Sequence, residues 1–102
     1  METNTAQANV VVEMLNCGKW SIGYGRARRM STHMITGDAP ASALYVRAVA
    51  RDDGGGRTSI GLGRVFASGA GWVAVRGPRR TWFAKRGEAG QYLFNIAAGR
   101  VL

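Results

Sequence analysis

The densest run of side chains that could do chemistry is Arg76-Gly77-Pro78-Arg79-Arg80-Thr81-Trp82-Phe83-Ala84-Lys85-Arg86, with five cations and two large rings in eleven residues. A guanidinium offers a planar, permanently charged fork for phosphate or carboxylate, and it stacks on rings. A β-hairpin of this composition can lay arginines along phosphates while a ring stacks on a base. Stacking is worth ~1–3 kcal/mol per base, and phosphate contacts make affinity depend on salt. Strand alternation requires one of Trp82 and Phe83 to face the core, which leaves the other available. Tyr24-Gly25-Arg26-Ala27-Arg28-Arg29 is a second, smaller patch. The candidate anion-binding residues are therefore Arg26, Arg28, Arg29, Arg64, Arg76, Arg79, Arg80, Trp82, Lys85 and Arg86.

Charge placement points the same way. Of the net +8, residues 1–53 contribute six basic and five acidic groups, net +1. Residues 54–102 contribute eight basic groups against Glu88 alone, net +7. That asymmetry favours an anionic partner: nucleic acid, an acidic protein surface or lipid headgroups. The same arginines could instead serve only to keep a β-rich chain in solution.

Other chemistries are poorly supported. Gly61-Leu62-Gly63 meets Phe66, and Gly23-Tyr24-Gly25 meets Arg28, where a dinucleotide fingerprint needs a third glycine. Gly54-Gly55-Gly56-Arg57-Thr58 has Arg in place of the phosphate-loop Lys and lacks the upstream glycine. One His and one Cys cannot build a closed zinc shell. His33 has no sequence neighbour that suggests a nucleophile or orienting acid, and Asp52-Asp53 before three glycines reads as turn chemistry. No catalytic residue, metal site or cofactor is expected. The lone Cys17 reads as a buried structural thiol. No apolar stretch approaches the ~20 residues of a membrane span, and the polar N-terminus has no signal-peptide pattern, so a cytoplasmic protein without membrane attachment is expected.

The elements that must position these groups read mainly as strands. With 46% apolar residues the 102-residue chain can form one core, and fifteen glycines argue against long helices. Residues 1–8 are expected to be a flexible segment and 9–102 a single β domain. Val10–Asn16, a β-branched run, reads as a strand, with a helix capped by Thr5 as the alternative. Trp20–Arg26 and Leu44–Arg51 alternate: in the first, Trp20, Ile22 and Tyr24 lie on one side and Ser21, Gly23 and Gly25 on the other, and in the second, Leu44, Val46, Ala48 and Ala50 face inward while Tyr45, Arg47 and Arg51 face outward. Asp52–Gly56 is the clearest turn. Thr58–Phe66 places Ile60, Leu62 and Phe66 on one face. Short strands at Trp72–Arg76 and Thr81–Arg86 follow, then a last stripe of Tyr92, Phe94 and Ile96.

Ser21-Ile22-Gly23-Tyr24-Gly25-Arg26 recurs as Ser59-Ile60-Gly61-Leu62-Gly63-Arg64, a shift of 38 residues that also aligns Pro40 with Pro78 and Tyr45 with Phe83. A degenerate third copy runs from Asn95 to Leu102. Chance similarity in a chain rich in Gly, Arg and Ala is the alternative. The Gly-x-Gly pairs read as places where a bulky residue crosses the strand, with Trp20, Trp72 and Trp82 as candidates. The expected fold is all-β: a small antiparallel barrel or sandwich of about 6–8 short strands, built on the repeat, whose closure removes exposed edges.

Together these features predict a binding protein rather than an enzyme. Single-stranded nucleic acid or RNA is the first expectation. A small protein-interaction module or inhibitor, such as a phage-type anti-defence protein docking on a larger complex, is the second. A repeat-based, lectin-like ligand binder is the third.

Overall fold

The computed structural model describes residues 2–26, 40 and 42–100. Their elements are α1 (Glu2–Cys17), β1 (Ser21–Arg26), β2 (Leu44–Arg51), β3 (Arg57–Ser68), β4 (Gly71–Arg76), β5 (Arg79–Phe83) and α2 (Arg86–Ala97). The five strands form one open antiparallel sheet in the order β1-β2-β3-β4-β5.

Turn chemistry explains this meander. Between β2 and β3, the Asp52 carboxylate accepts the Gly56 N–H at 2.7 Å, and the Asp52 carbonyl accepts the Gly55 N–H at 3.2 Å. The two later hairpins close through two-residue loops, Gly69-Ala70 and Gly77-Pro78, each with its glycine first and at positive φ (60° and 56°). That is the position where a type II′ turn requires glycine, and its twist matches that of the strands.

The expected alternation of β2 holds. Val46 and Ala48 are fully buried, and Leu44 packs against the same core. In β3 the alternation breaks. Arg47 pairs with Gly61 and Val46 with Gly63, so Leu62 is an extra residue, a β-bulge. Ile60 and Leu62 face the core before the bulge and Val65 after it, which sends Phe66 to the opposite face from the one expected. Gly63 sits at φ 146°, where a Cβ would also run into the Val75 carbonyl.

α2 covers one side of the sheet. Its buried residues Ala89, Gly90, Leu93, Phe94 and Ala97 recur at helical spacing, and they meet Val46, Leu62, Val65 and Ala74 from the strands. Fully burying a side chain such as Leu93 contributes roughly 1.5–3 kcal/mol. The Lys85 N–H donates to Glu88 Oε1 at 3.1 Å, satisfying a backbone group where the helix begins. The Tyr92–Ile96 stripe expected as a strand therefore belongs to a helix, and so does the start of the supposed third repeat copy.

The run Val10–Asn16 is likewise helical, although its three valines have low helix propensity. Burial decides the matter. Leu15 is almost fully buried in the core and Val11 packs beside it. The Asn16 side-chain amide donates to the Val12 carbonyl and, at 2.8 Å, to the Ala98 carbonyl at the end of α2. The helix starts at Glu2, ahead of the Thr5 cap considered from sequence.

The expected barrel or sandwich is thus corrected to one open sheet of five strands with two helices. The sheet does not show the repeat. β1 and β2 are direct antiparallel neighbours, whereas their counterparts β3 and β5 run in the same direction with β4 between them. The short strand expected at His33–Thr36 lies outside the described residues. Cys17 is exposed, not buried. No helix among the described residues is long and apolar enough to cross a membrane.

Candidate functional site

Alternation gives the sheet two faces. One lies under α2. The other is built by Ser21, Gly23 and Gly25 of β1, by Tyr45, Arg47, Val49 and Arg51 of β2, and by Arg57, Ser59, Gly61, Arg64 and Phe66 of β3. Val75 and Val73 of β4 and Arg80 and Trp82 of β5 complete it. No described helix packs on this second face.

Cross-strand register sets its layout. Gly25, Tyr45, Arg64, Val75 and Arg80 form one continuous row across all five strands. Phe66, Val73 and Trp82 form the next row on one side of it. On the other side lie Gly23, Arg47 and Gly61, then Ser21, Val49 and Ser59, and finally Arg51 opposite Arg57. Phe66, Val73 and Trp82 thus occupy one end of the face and Arg47, Arg51 and Arg57 the other, with Tyr45, Arg64 and Arg80 in the row between.

Small residues keep the rings low on this surface. Tyr45 leans over Gly61, where a Cβ would lie only 2.6 Å from the Tyr45 hydroxyl. The Trp82 ring lies over Gly71, its Nε1 donates to the Ser68 carbonyl at 3.2 Å, and the residue remains 54% exposed. Arg80 stacks over Phe66 at 5.7 Å and Arg47 over Tyr45 at 5.6 Å. Guanidinium–ring contacts of this kind hold an arginine without consuming its charge.

At the arginine end the surface is concave. A cleft of about 580 Å³ is lined by Lys19, Trp20, Ser21, Gly23, Val49, Arg51 and Arg57. A smaller hollow of about 250 Å³ adjoins it, lined by Gly23, Gly25, Arg47 and Arg57 among others. None of the five strands carries an acidic residue. Glu13 and Glu88 sit on helices, and Asp52 and Asp53 in the β2–β3 turn.

The residues singled out from sequence divide between the two faces. Arg64, Arg80 and Trp82 share the uncovered one, and Phe83 turns inward against the core, so one ring is packed and the other available. Arg76 does not join them: its Nη1 donates to the Leu62 carbonyl at the bulge, at 2.8 Å. Arg86 lies over the Tyr24 ring at 4.6 Å and the Trp72 ring at 5.9 Å on the helix side. Arg26 and Arg79 lie on the helix-side register at strand ends, both exposed. Lys85 is exposed just before α2. Arg28 and Arg29 lie outside the described residues.

Tyr24 belongs to the helix side too. Its hydroxyl donates to the Arg86 carbonyl at 3.3 Å and presses against Gly90. Burial raises its phenol above the ordinary value, and the nearby Arg86 charge partly opposes that.

Arg47, Arg51, Arg57, Lys19 and Tyr45 were not among the sequence candidates. The alternation of β2 had already pointed Tyr45, Arg47 and Arg51 outward, and pairing with β3 adds Arg57 beside them. The tryptophans expected over the Gly-x-Gly pairs sit elsewhere: Trp20 lies against Gly18 and Trp82 against Gly71, while Gly63 faces Leu93. Among the described residues no cluster of His, Cys, Asp or Glu could hold a metal ion. No protein-family model, curated protein or solved structure matches this chain.

Proposed function

We propose that this protein binds single-stranded nucleic acid across the uncovered face of its sheet and acts by binding rather than by catalysis. One observation carries the reading: Arg47, Arg51, Arg57, Arg64 and Arg80 share a face with Tyr45, Phe66 and Trp82, and no strand supplies an acid. Arginines along a backbone path and rings that accept any base are the two components of sequence-tolerant single-strand binding. An open sheet face with rings lying low suits unstacked bases, whereas reading a duplex major groove calls for an inserted helix or ribbon.

The test is a fluorescence-anisotropy titration with single-stranded RNA, single-stranded DNA and duplex DNA at several salt concentrations. Tight binding to the single strands is expected, with log affinity falling linearly in log salt at a slope of about −0.7 per phosphate contacted. Absence of binding at low salt, or affinity indifferent to salt, removes the reading. A single stoichiometric protein partner retained after nuclease treatment would replace it with a protein-docking function.

A further inference from the structure

The cleft at the arginine end differs from the rest of the face in one respect. Lys19, Arg51 and Arg57 line it together, and Arg57 also borders the adjoining hollow with Arg47. Among the described residues none offers an ion pair or side-chain hydrogen bond to Lys19, Arg51 or Arg57. The nearest acids in sequence are turned to other work or lie off the lining: the Asp52 carboxylate accepts the Gly56 N–H, and Asp53 does not line the cleft. Gly23 leaves its floor free of side chain, and Ser21 has its hydroxyl on the Val49 carbonyl. Trp20 bounds one side, fixed by its Nε1 on the Met14 carbonyl at 3.0 Å.

Four cations around two joined concavities are more than a single phosphodiester requires. An internal diester carries one negative charge, whereas a phosphomonoester carries about −1.5 to −2 at pH 7 and presents three terminal oxygens. Cations already gathered bind the dianion preferentially, because each added charge-assisted hydrogen bond is strong and no described partner must be displaced from Lys19, Arg51 or Arg57. The cleft also lies at the margin of the sheet, beyond Tyr45, the nearest of the three rings on the uncovered face, where a strand running down that face would finish.

We infer that this cleft is a phosphomonoester site, which on the nucleic-acid reading captures the phosphorylated end of a single strand. The dianion sits between Arg51, Arg57 and Lys19, with Arg47 receiving the adjoining diester, and the bases follow toward Tyr45 and Trp82. The inference deepens the single-strand reading and rests on it for the source of the phosphate; the same chemistry would also accept a free mononucleotide or inorganic phosphate.

The experiment compares internally labelled single strands of about ten nucleotides, within the usual range of site sizes. They carry a 5′-phosphate, a 3′-phosphate or hydroxyls at both ends. One phosphorylated end is expected to bind about tenfold tighter, the gain of one strong charge-assisted contact. The Arg51→Gln/Arg57→Gln variant should close that gap, whereas Trp82→Ala should weaken all three strands and leave it open. A circular-dichroism melt confirms that the variants fold, and competition by AMP and by inorganic phosphate on the unaltered protein gives a readout that needs no variant.

Equal affinity for the three strands overturns the end-binding site and leaves single-strand binding standing. A gap that survives the double variant overturns its placement in this cleft. Failure of every strand to bind, with AMP or phosphate still raising the melting temperature of the unaltered protein but not of the variant, supports the site and removes the nucleic-acid reading. Failure of all these probes removes both.

Discussion

The two faces of the sheet use the same strands for opposite ends. Under α2 the strands contribute Val46, Ala48, Leu62, Val65 and Ala74, none more than 1% exposed. On the other side the same strands carry five arginines and three rings set among glycines. Stability therefore resides in one set of alternating positions and, on the proposed reading, binding in the other. Substitutions should separate the two properties cleanly.

The largest expected effect lies on the covered face. Leu93→Ala removes a fully buried side chain from the centre of the core and should cost about 2–5 kcal/mol of unfolding free energy, read by urea denaturation. The fraction still folded should bind single strands with unchanged affinity. Loss of binding in the folded fraction would show that the faces are not independent.

Trp82→Ala tests the opposite arm. The half-exposed ring should contribute little to folding, under about 1 kcal/mol, but its loss should weaken single-strand binding by about 1–3 kcal/mol. Anisotropy measures the binding change and a denaturation curve the stability. A smaller effect is expected for Arg47→Ala: an affinity loss that shrinks as salt rises, with the slope of log affinity against log salt reduced in magnitude by about 0.7. An unchanged slope would place Arg47 away from the phosphates.

The smallest effect concerns Tyr24, on the helix side. Because burial raises its phenol, the folded protein holds that proton more tightly than the unfolded chain does. Its contribution is complete below the ordinary tyrosine value of 10.0 and is lost as pH rises through the raised one. Stability measured from pH 9 to about 11.5 should fall more steeply in the unaltered protein than in Tyr24→Phe, while strand binding at neutral pH should match. A parallel decline in the two proteins would contradict the assignment.

Much of the sheet was legible because its signals are local. The β2 alternation and the Asp-Asp-Gly-Gly-Gly turn each specify structure within a few residues. The helices were not, for a different reason at each end. The valine run of α1 favours a strand by propensity, and only docking of Leu15 and Asn16 against the core and α2 reverses it. In α2 the period-two stripe Tyr92, Phe94, Ile96 masks the helical set Ala89, Leu93, Ala97, whose members are partly too small to stand out.

The candidate site was half legible for a related reason. Sequence density drew attention to residues 76–86, yet neighbours in a strand point to opposite faces. Arg76 is consequently occupied by a backbone carbonyl on the helix side, while Arg80 and Trp82 are on the other; Arg86 opens α2 and lies over aromatic rings on the helix side. The arginines that join Arg80 and Trp82 come from β2 and β3, far away in sequence. Their grouping required the strand order, which alternation alone does not supply.

The extra residue in β3 reaches further than a local irregularity. With unbroken pairing from Arg57 onward, Leu62 would fall opposite Val46 and Arg64 opposite Leu44, driving a guanidinium beneath α2 and turning Val65 to solvent. The misphased half of β3 is brought back into step by that single widened pair. A chain lacking Gly63 would need no such correction: Leu62 would meet Val46 directly, and every later side chain of the strand would keep its present orientation.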